Sequence, residues 1–158
     1  MRCVGFPPSF DGESKLLILG SFPSVKSRET NFYYGHKQNR FWKILAAFFG
    51  EDLPSAVPEK KSFLKKHDIA LWDVVTECDI EGSLDSAIKN PVVANLYEVL
   101  NNAEIKRIFT NGGKSFSLLK RYYPELVVLT DALPSTSPAN VRSPEKEWFE
   151  ALEKVFKK

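Results

Sequence analysis

Between Tyr33 and Trp42 the chain reads Tyr-Tyr-Gly-His-Lys-Gln-Asn-Arg-Phe-Trp, which puts the aromatic pair Tyr33-Tyr34, the amide of Asn39 and several basic residues within ten positions. Two Pro-Ser turns frame this segment: Gly20-Ser21-Phe22-Pro23-Ser24 before it, and Leu133-Pro134-Ser135-Thr136-Ser137-Pro138-Ala139-Asn140 after it. A flat ring stacks on any base, an amide both accepts and donates, and hydroxyls with backbone N–H groups bind phosphate oxygens. Such a set suits a nucleobase swung out of its stack together with the phosphates that flank it.

The elements that must hold these residues alternate along the chain. Short apolar runs at 15–20, 69–75, 105–110 and 126–130 read as strands buried on both faces. Amphipathic stretches at 39–49, 59–66, 114–122 and 144–156, and a pair within 84–101, read as helices. Right-handed crossovers then give an α/β fold, a three-layer α/β/α sandwich around a central four-stranded parallel sheet. Ligands of such sheets bind outside the carboxyl ends of the strands, where both Pro-Ser turns, the Asn111-Gly112-Gly113 loop and the end of the Trp72-Asp73 strand fall.

With 158 residues and 43% hydrophobic content the chain has the size of one domain with a continuous core. No apolar run approaches the roughly 18 residues of a bilayer span, and no basic-then-apolar leader opens the chain, so a cytoplasmic protein is expected. Cys3 and Cys78 stand apart from any Cys/His cluster; reduced thiols are expected, with no metal or other cofactor. A net charge of +2 says little, but its distribution says more. Residues 21–43 carry five bases, Lys26, Arg28, Lys37, Arg40 and Lys43, against Glu29, whereas 68–85 is acidic. Folding the basic stretch beside Arg142 would present a positive face to phosphates; ordinary solvated charge is the alternative.

Taken together, the motifs resemble the uracil-DNA glycosylase superfamily, and within it the hypoxanthine-DNA glycosylase branch. The resemblance spans nearly the whole chain: Gly-x-x-Pro-Ser at Gly20, Tyr-x-x-x-x-Asn-x-Phe-Trp at Tyr34, Leu-Trp-Asp-Val at Leu71, Gly-Ser-Leu-Asp-Ser at Gly82, and Leu-Pro-Ser-Thr-Ser at Leu133. The run Asn39-Arg40-Phe41-Trp42 is also similar to the mismatch-specific members. The resemblance implies a monomeric repair enzyme acting on DNA that contains deaminated bases: hypoxanthine chiefly, with uracil and xanthine admissible.

The first motif departs from its mismatch-specific relatives, which place a catalytic Asn where this chain has Phe22. In the hypoxanthine branch the resemblance moves that role to Asn39, whose carbonyl could accept from water while its NH₂ donates to the base. Asn39 could also cap the helix beginning there, and the two roles are compatible. By the same resemblance Tyr34 stacks on the base, Ser21, Phe22 and Pro23 form its turn, and Asp73 either reads a base N–H or satisfies loop donors. Ser24, Ser135, Thr136, Ser137 and Asn140 would hold phosphates, as would Gly113 and Lys114 at a helix N-terminus. Superfamily members also insert a wedge residue from the last motif, where Ser137, Pro138, Ala139 and Asn140 stand here. Phe41 and Trp42 read as core, as does Tyr33.

Other chemistries fit less well. Ile108 stands where a nucleoside-triphosphate loop needs its first Gly, and neither Ser24 nor Ser135 lies in Gly-x-Ser-x-Gly. No Lys is placed for Schiff-base strand cleavage, which favours a monofunctional enzyme. The alternatives that stay open are a uracil- or mismatch-specific glycosylase and a non-catalytic nucleic-acid-binding domain of the same fold.

Overall fold

The computed structural model describes residues 2–81 and 87–156; the Gly-Ser-Leu-Asp-Ser motif at Gly82 lies outside the described residues. Four parallel strands, β2 (Leu16–Gly20), β3 (Ile69–Asp73), β6 (Arg107–Asn111) and β7 (Thr130–Leu133), form the central sheet in the order β3-β2-β6-β7. From Leu16 to Leu19 every residue is fully buried, which is why β2 reads as an unbroken apolar run rather than an alternating one.

The crossovers from β2 to β3 and from β6 to β7 run in opposite directions across the sheet. Right-handed connections therefore place α2 (Phe41–Phe49) and α3 (Val57–Lys66) on one face and α5 (Gly113–Tyr122) on the other. Helix α6 (Glu145–Phe156) packs on α2, completing the three-layer sandwich. Register then aligns the carboxyl ends: Gly20 faces Asp73, Leu19 faces Thr110, and Asn111 faces Leu133. The direction of winding reverses at β2, so these ends open onto the crevice where α/β sheets bind ligands.

Two expectations are corrected here. The run at 126–130 is not the fourth strand: Pro124–Leu129 is a 3₁₀ turn, and the strand begins only at Thr130. Pro124 suits the first helical turn, and Thr130 Oγ1 donates to the Leu126 carbonyl at 2.7 Å, closing that turn. The apolar run misled because Val128 is 78% exposed, while the true edge strand carries Asp131 to pair with Arg107 at 3.0 Å.

A helix pair across 84–101 is likewise not found in the described part, where β5 (Lys89–Val93) precedes a single turn, α4 (Tyr97–Leu100). β-branched Val92 and Val93 favour a strand, and Pro91 is tolerated because β5 is an edge. With β1 (Arg2–Val4) and β4 (Val75–Asp79) it makes a second, antiparallel sheet, β1-β4-β5, which the sequence reading did not anticipate. The chain passes from one sheet to the other through Val74, whose N–H bonds Gly20 O at 2.9 Å. Cys3 and Cys78 are cross-strand neighbours in this second sheet and both are free thiols, Cys78 buried.

The three tryptophans tie the core to the loops above it. Indole N–H groups of Trp42, Trp72 and Trp148 donate to the carbonyls of Tyr33 (3.1 Å), Phe6 (3.2 Å) and Pro134 (2.9 Å). Trp148 is fully buried, edge-on to both Phe41 and Phe109, so it sits between α2 and β6 while gripping the last Pro-Ser turn. Trp148→Ala is expected to cost about 3 to 5 kcal/mol in urea unfolding, from the cavity and the orphaned carbonyl together. A loss near or below about 1 kcal/mol would show that α6 does not anchor this turn.

Candidate active site

The first Pro-Ser turn leaves β2 and runs directly into a short helix that the sequence reading missed, α1 (Val25–Thr30). Ser24 is its N-cap: Oγ accepts from Ser27 N and donates to Ser27 Oγ, both at 3.1 Å. Ser27 Oγ in turn accepts from Gly35 N at 2.9 Å, stitching this turn to the aromatic segment. Phe22 packs under the Arg28 guanidinium, 5.5 Å from the ring centre, and Arg28 donates to Pro23 O at 3.3 Å. Arg28 therefore supports the turn as well as adding charge near it.

Tyr34 adopts φ +55°, a left-handed conformation costly for an aromatic residue and held here by its surroundings. Its ring stacks on buried Phe41, with centroids 4.1 Å apart and planes 27° from parallel. Burial, and then the negative charge of Asp73, push the Tyr33 and Tyr34 phenols well above the ordinary tyrosine value. Both rings thus stay neutral through physiological pH. Asn111's amide is close enough to act slightly the other way on Tyr34.

Asp73 is 4% exposed at the end of β3, across from Gly20. A Cβ on Gly20 would stand 2.5 Å from Asp73 Oδ1 and 3.3 Å from the Tyr34 hydroxyl oxygen. Glycine is needed here for close approach: it lets the carboxylate and the phenol converge on the strand end.

Asn39 stands at the centre. Its Oδ1 accepts from Phe41 N at 2.9 Å, at the start of α2, and from Thr136 Oγ1 at 2.7 Å. The expected helix-start role is present, one residue before the helix's own cap at Arg40. Thr136 is fully buried; its hydroxyl accepts from Asn111 Nδ2 and its N–H donates to Asn111 Oδ1, both at 2.9 Å. These bonds fix the direction of every dipole. Thr136 has one hydroxyl proton and gives it to Asn39, so both lone pairs of the Asn39 oxygen are occupied and its NH₂ is the group left to offer.

Asn39 Oδ1 thus already accepts from two donors, and the Thr136 hydroxyl is turned inward between Asn39 and Asn111. The rest of the last turn is similarly self-bonded: Ser135 Oγ accepts from Ser137 N (3.1 Å), Ser137 Oγ from Ala139 N (3.2 Å), and Asn140 Nδ2 donates to Ser135 O (2.8 Å). Gly112, at φ +100°, is packed so that a Cβ would lie 3.3 Å from Ser135.

Around these groups lies a cavity of about 320 Å³, at the small end of ligand sites and suited to a single nucleobase. Eleven of the thirteen residues singled out in the sequence line it: Asn39, Ser21, Phe22, Pro23, Tyr34, Asp73, Ser24, Ser135, Thr136, Ser137 and Asn140. Gly113 and Lys114, at the start of α5, are not among its lining residues. The structure adds Gly20, Ser27, Tyr33, Asn111 and Ala139. Asn111 is the informative addition: its Asn-Gly-Gly loop was expected at the carboxyl ends of the strands, but its bonds to Thr136 are visible only in the structure.

Comparison with known proteins agrees with this geometry. The family model for the uracil DNA glycosylase superfamily matches residues 7–157. A curated relative from Methanosarcina barkeri, named hypoxanthine DNA glycosylase, is 36% identical over 163 residues, covering 98% of this chain and 100% of its own. A second of the same name, from Methanosarcina acetivorans, is 37% identical over 154 residues, covering 91% and 94%. A solution NMR structure of a candidate uracil DNA glycosylase from Methanosarcina acetivorans superposes with a TM-score of 0.83 at 32% identity, over 99% of each chain. With its parallel sheet, its two Pro-Ser turns and a base-sized cavity between them, the chain belongs to the uracil DNA glycosylase superfamily and is a DNA glycosylase.

Proposed function

We propose that this enzyme hydrolyses the N-glycosidic bond of hypoxanthine, and of other deaminated bases that fit, in the first step of base excision repair. The observation that carries the reading is the Asn39 amide, locked through its oxygen by Thr136 and Phe41 so that its NH₂ remains for the ligand. Hypoxanthine as chief substrate is supported by the two relatives that bear its name.

Cleavage leaves positive charge on the sugar and negative charge on the departing base. A neutral, preorganised N–H aimed at the base stabilises the second without repelling the first. Phosphates gathered around the extruded nucleotide supply the opposing field for the sugar. Tyr34, braced by Phe41, forms the stacking wall, and Asp73 is the acceptor in reach of an N–H that hypoxanthine carries and adenine lacks. Ser21, Phe22 and Pro23 shape the floor, while Ser24, Ser135, Ser137 and Asn140 face the flanking phosphates, the Ser135 and Ser137 hydroxyls each keeping a proton to donate, with Gly113 and Lys114 farther along the strand.

At the rim stands Val141, 96% exposed and directly after Asn140. Its exposure and its place just after the wedge positions 137–140 support assigning it to the gap left by the extruded base. Val141→Gly is expected to lower excision from duplex about tenfold while sparing single strands, because only the duplex must be unstacked. Equal effects on both substrates would remove Val141 from that role.

We read the enzyme as monofunctional, a single domain, monomeric and cytoplasmic; no helix among the described residues is long and apolar enough to cross a membrane. The direct test incubates the protein with labelled duplexes and single strands bearing hypoxanthine, uracil or xanthine, with and without alkali. Hypoxanthine-dependent breaks that require alkali support the reading. Breaks without alkali would contradict the monofunctional assignment, and uracil excision alone would favour the uracil- or mismatch-specific alternative.

A further inference from the structure

Arg40 follows Asn39, and its side chain is turned inward onto the last Pro-Ser loop. Nη2 donates to the carbonyls of Ser137 (2.8 Å) and Asn140 (2.7 Å), Nη1 to Arg142 O (3.1 Å) and Nε to Thr136 O (3.4 Å). Its backbone N–H adds a second bond to Thr136 O at 3.0 Å. No Asp or Glu pairs with it within ion-pair distance among the described residues.

We propose that Arg40 is a positioning residue that draws these carbonyls inward, so that the loop shows its serine hydroxyls, not its carbonyl oxygens, to the phosphates beside the extruded nucleotide. Four carbonyls turned outward at this rim would meet phosphate with the negative ends of their dipoles. A planar guanidinium can satisfy all four at once because its donors point along fixed, divergent directions; an ammonium concentrates three donors on one atom. Carbonyls carry only partial charge, so they leave the cation a field that Glu145 offsets only from beyond ion-pair distance and that adds to the attraction for DNA. The same contacts hold the Thr136 segment against the start of α2. This inference rests on the active-site reading above and extends it to a residue outside the cavity lining.

Two readouts on Arg40→Gln and Arg40→Lys test it. The first is the rate at which trypsin cuts the folded protein after Arg142, whose carbonyl Arg40 holds, measured by mass spectrometry against cuts elsewhere in the chain. The second is kcat and KM for hypoxanthine-containing DNA. Arg40→Gln is expected to raise cleavage after Arg142 and KM for DNA by about tenfold each, with kcat at saturating DNA within about threefold of wild type. Arg40→Lys should fall between, and guanidinium ion added to Arg40→Ala should lower KM again. Unchanged cleavage and KM in Arg40→Gln would overturn the proposal, as would a loss confined to kcat. If the Gln variant fails to fold, wild-type cleavage and KM in Arg40→Lys overturn it instead. The proteolysis readout needs no substrate: faster cutting after Arg142 in a protein without glycosylase activity would fault the active-site reading and leave the clamp standing.

Discussion

Asn39→Ala should lower the rate of hypoxanthine excision roughly 100- to 1,000-fold, the loss seen when one preorganised donor to a developing anion is removed. The size follows from how little else in the cavity can replace it. Thr136 and Asn111 are bonded to each other, Ser24 caps α1, and the hydroxyls of Ser135 and Ser137 accept from N–H groups of their own loop. Stability should change much less, by about 1 kcal/mol, because the truncation removes only the acceptor for Phe41 N and for the Thr136 hydroxyl. Single-turnover excision and urea unfolding on the same preparation separate the two effects. A drop in rate matched by a comparable loss of stability would make Asn39 structural.

Gly20→Ala is the second large effect, and it acts through space rather than chemistry. The new methyl would sit 2.5 Å from Asp73 Oδ1, a distance that real Cβ atoms do not tolerate, and 3.3 Å from the Tyr34 hydroxyl. Asp73 is 4% exposed and Tyr34 is stacked on Phe41, so neither can step aside freely. Overpacking of this kind costs about 1 to 3 kcal/mol, and the displaced groups are the proposed base reader and stacking wall. Excision is therefore expected to fall at least about 100-fold, since misplacement by about an ångström suffices for that. The double variant Gly20→Ala/Asp73→Ser, which shortens the blocking side chain, should recover stability without recovering hypoxanthine excision. Wild-type stability and excision in Gly20→Ala alone would mean that the strand end is more open than its packing indicates.

Much of this site was legible from residue order because its members lie at strand ends. An apolar run that stops at Gly20 or Asp73 marks both the strand and the place where its carboxyl end must open, and a Pro-Ser turn cannot extend the ladder. What the sequence did not carry was the partner of each polar group. Nothing in Leu-Pro-Ser-Thr-Ser says that its threonine turns inward to Asn111 and Asn39 while the flanking serines bond their own loop; that depends on the 25-residue separation closed by pairing of β6 with β7. Arg40 was equally opaque, because a base beside a recognition motif looks like a phosphate ligand until its carbonyl partners, 96 to 102 residues away, are in place. The two fold corrections each involve a proline. Pro124 opens a 3₁₀ turn over residues expected to be a strand, and Pro91 lies in an edge strand among residues expected to be helical.

The measurement that bears most directly on the central claim is single-turnover excision of hypoxanthine by Asn39→Asp at neutral pH. A carboxylate has the shape of the amide and can accept from Phe41 N and Thr136 Oγ1 as the native oxygen does, but it has no N–H to give. If Asn39 works by donating to the departing base, this variant should be slowed about as much as Asn39→Ala, roughly 100-fold or more. Activity near wild type would contradict the account, and would assign Asn39 instead to accepting a proton from the attacking water.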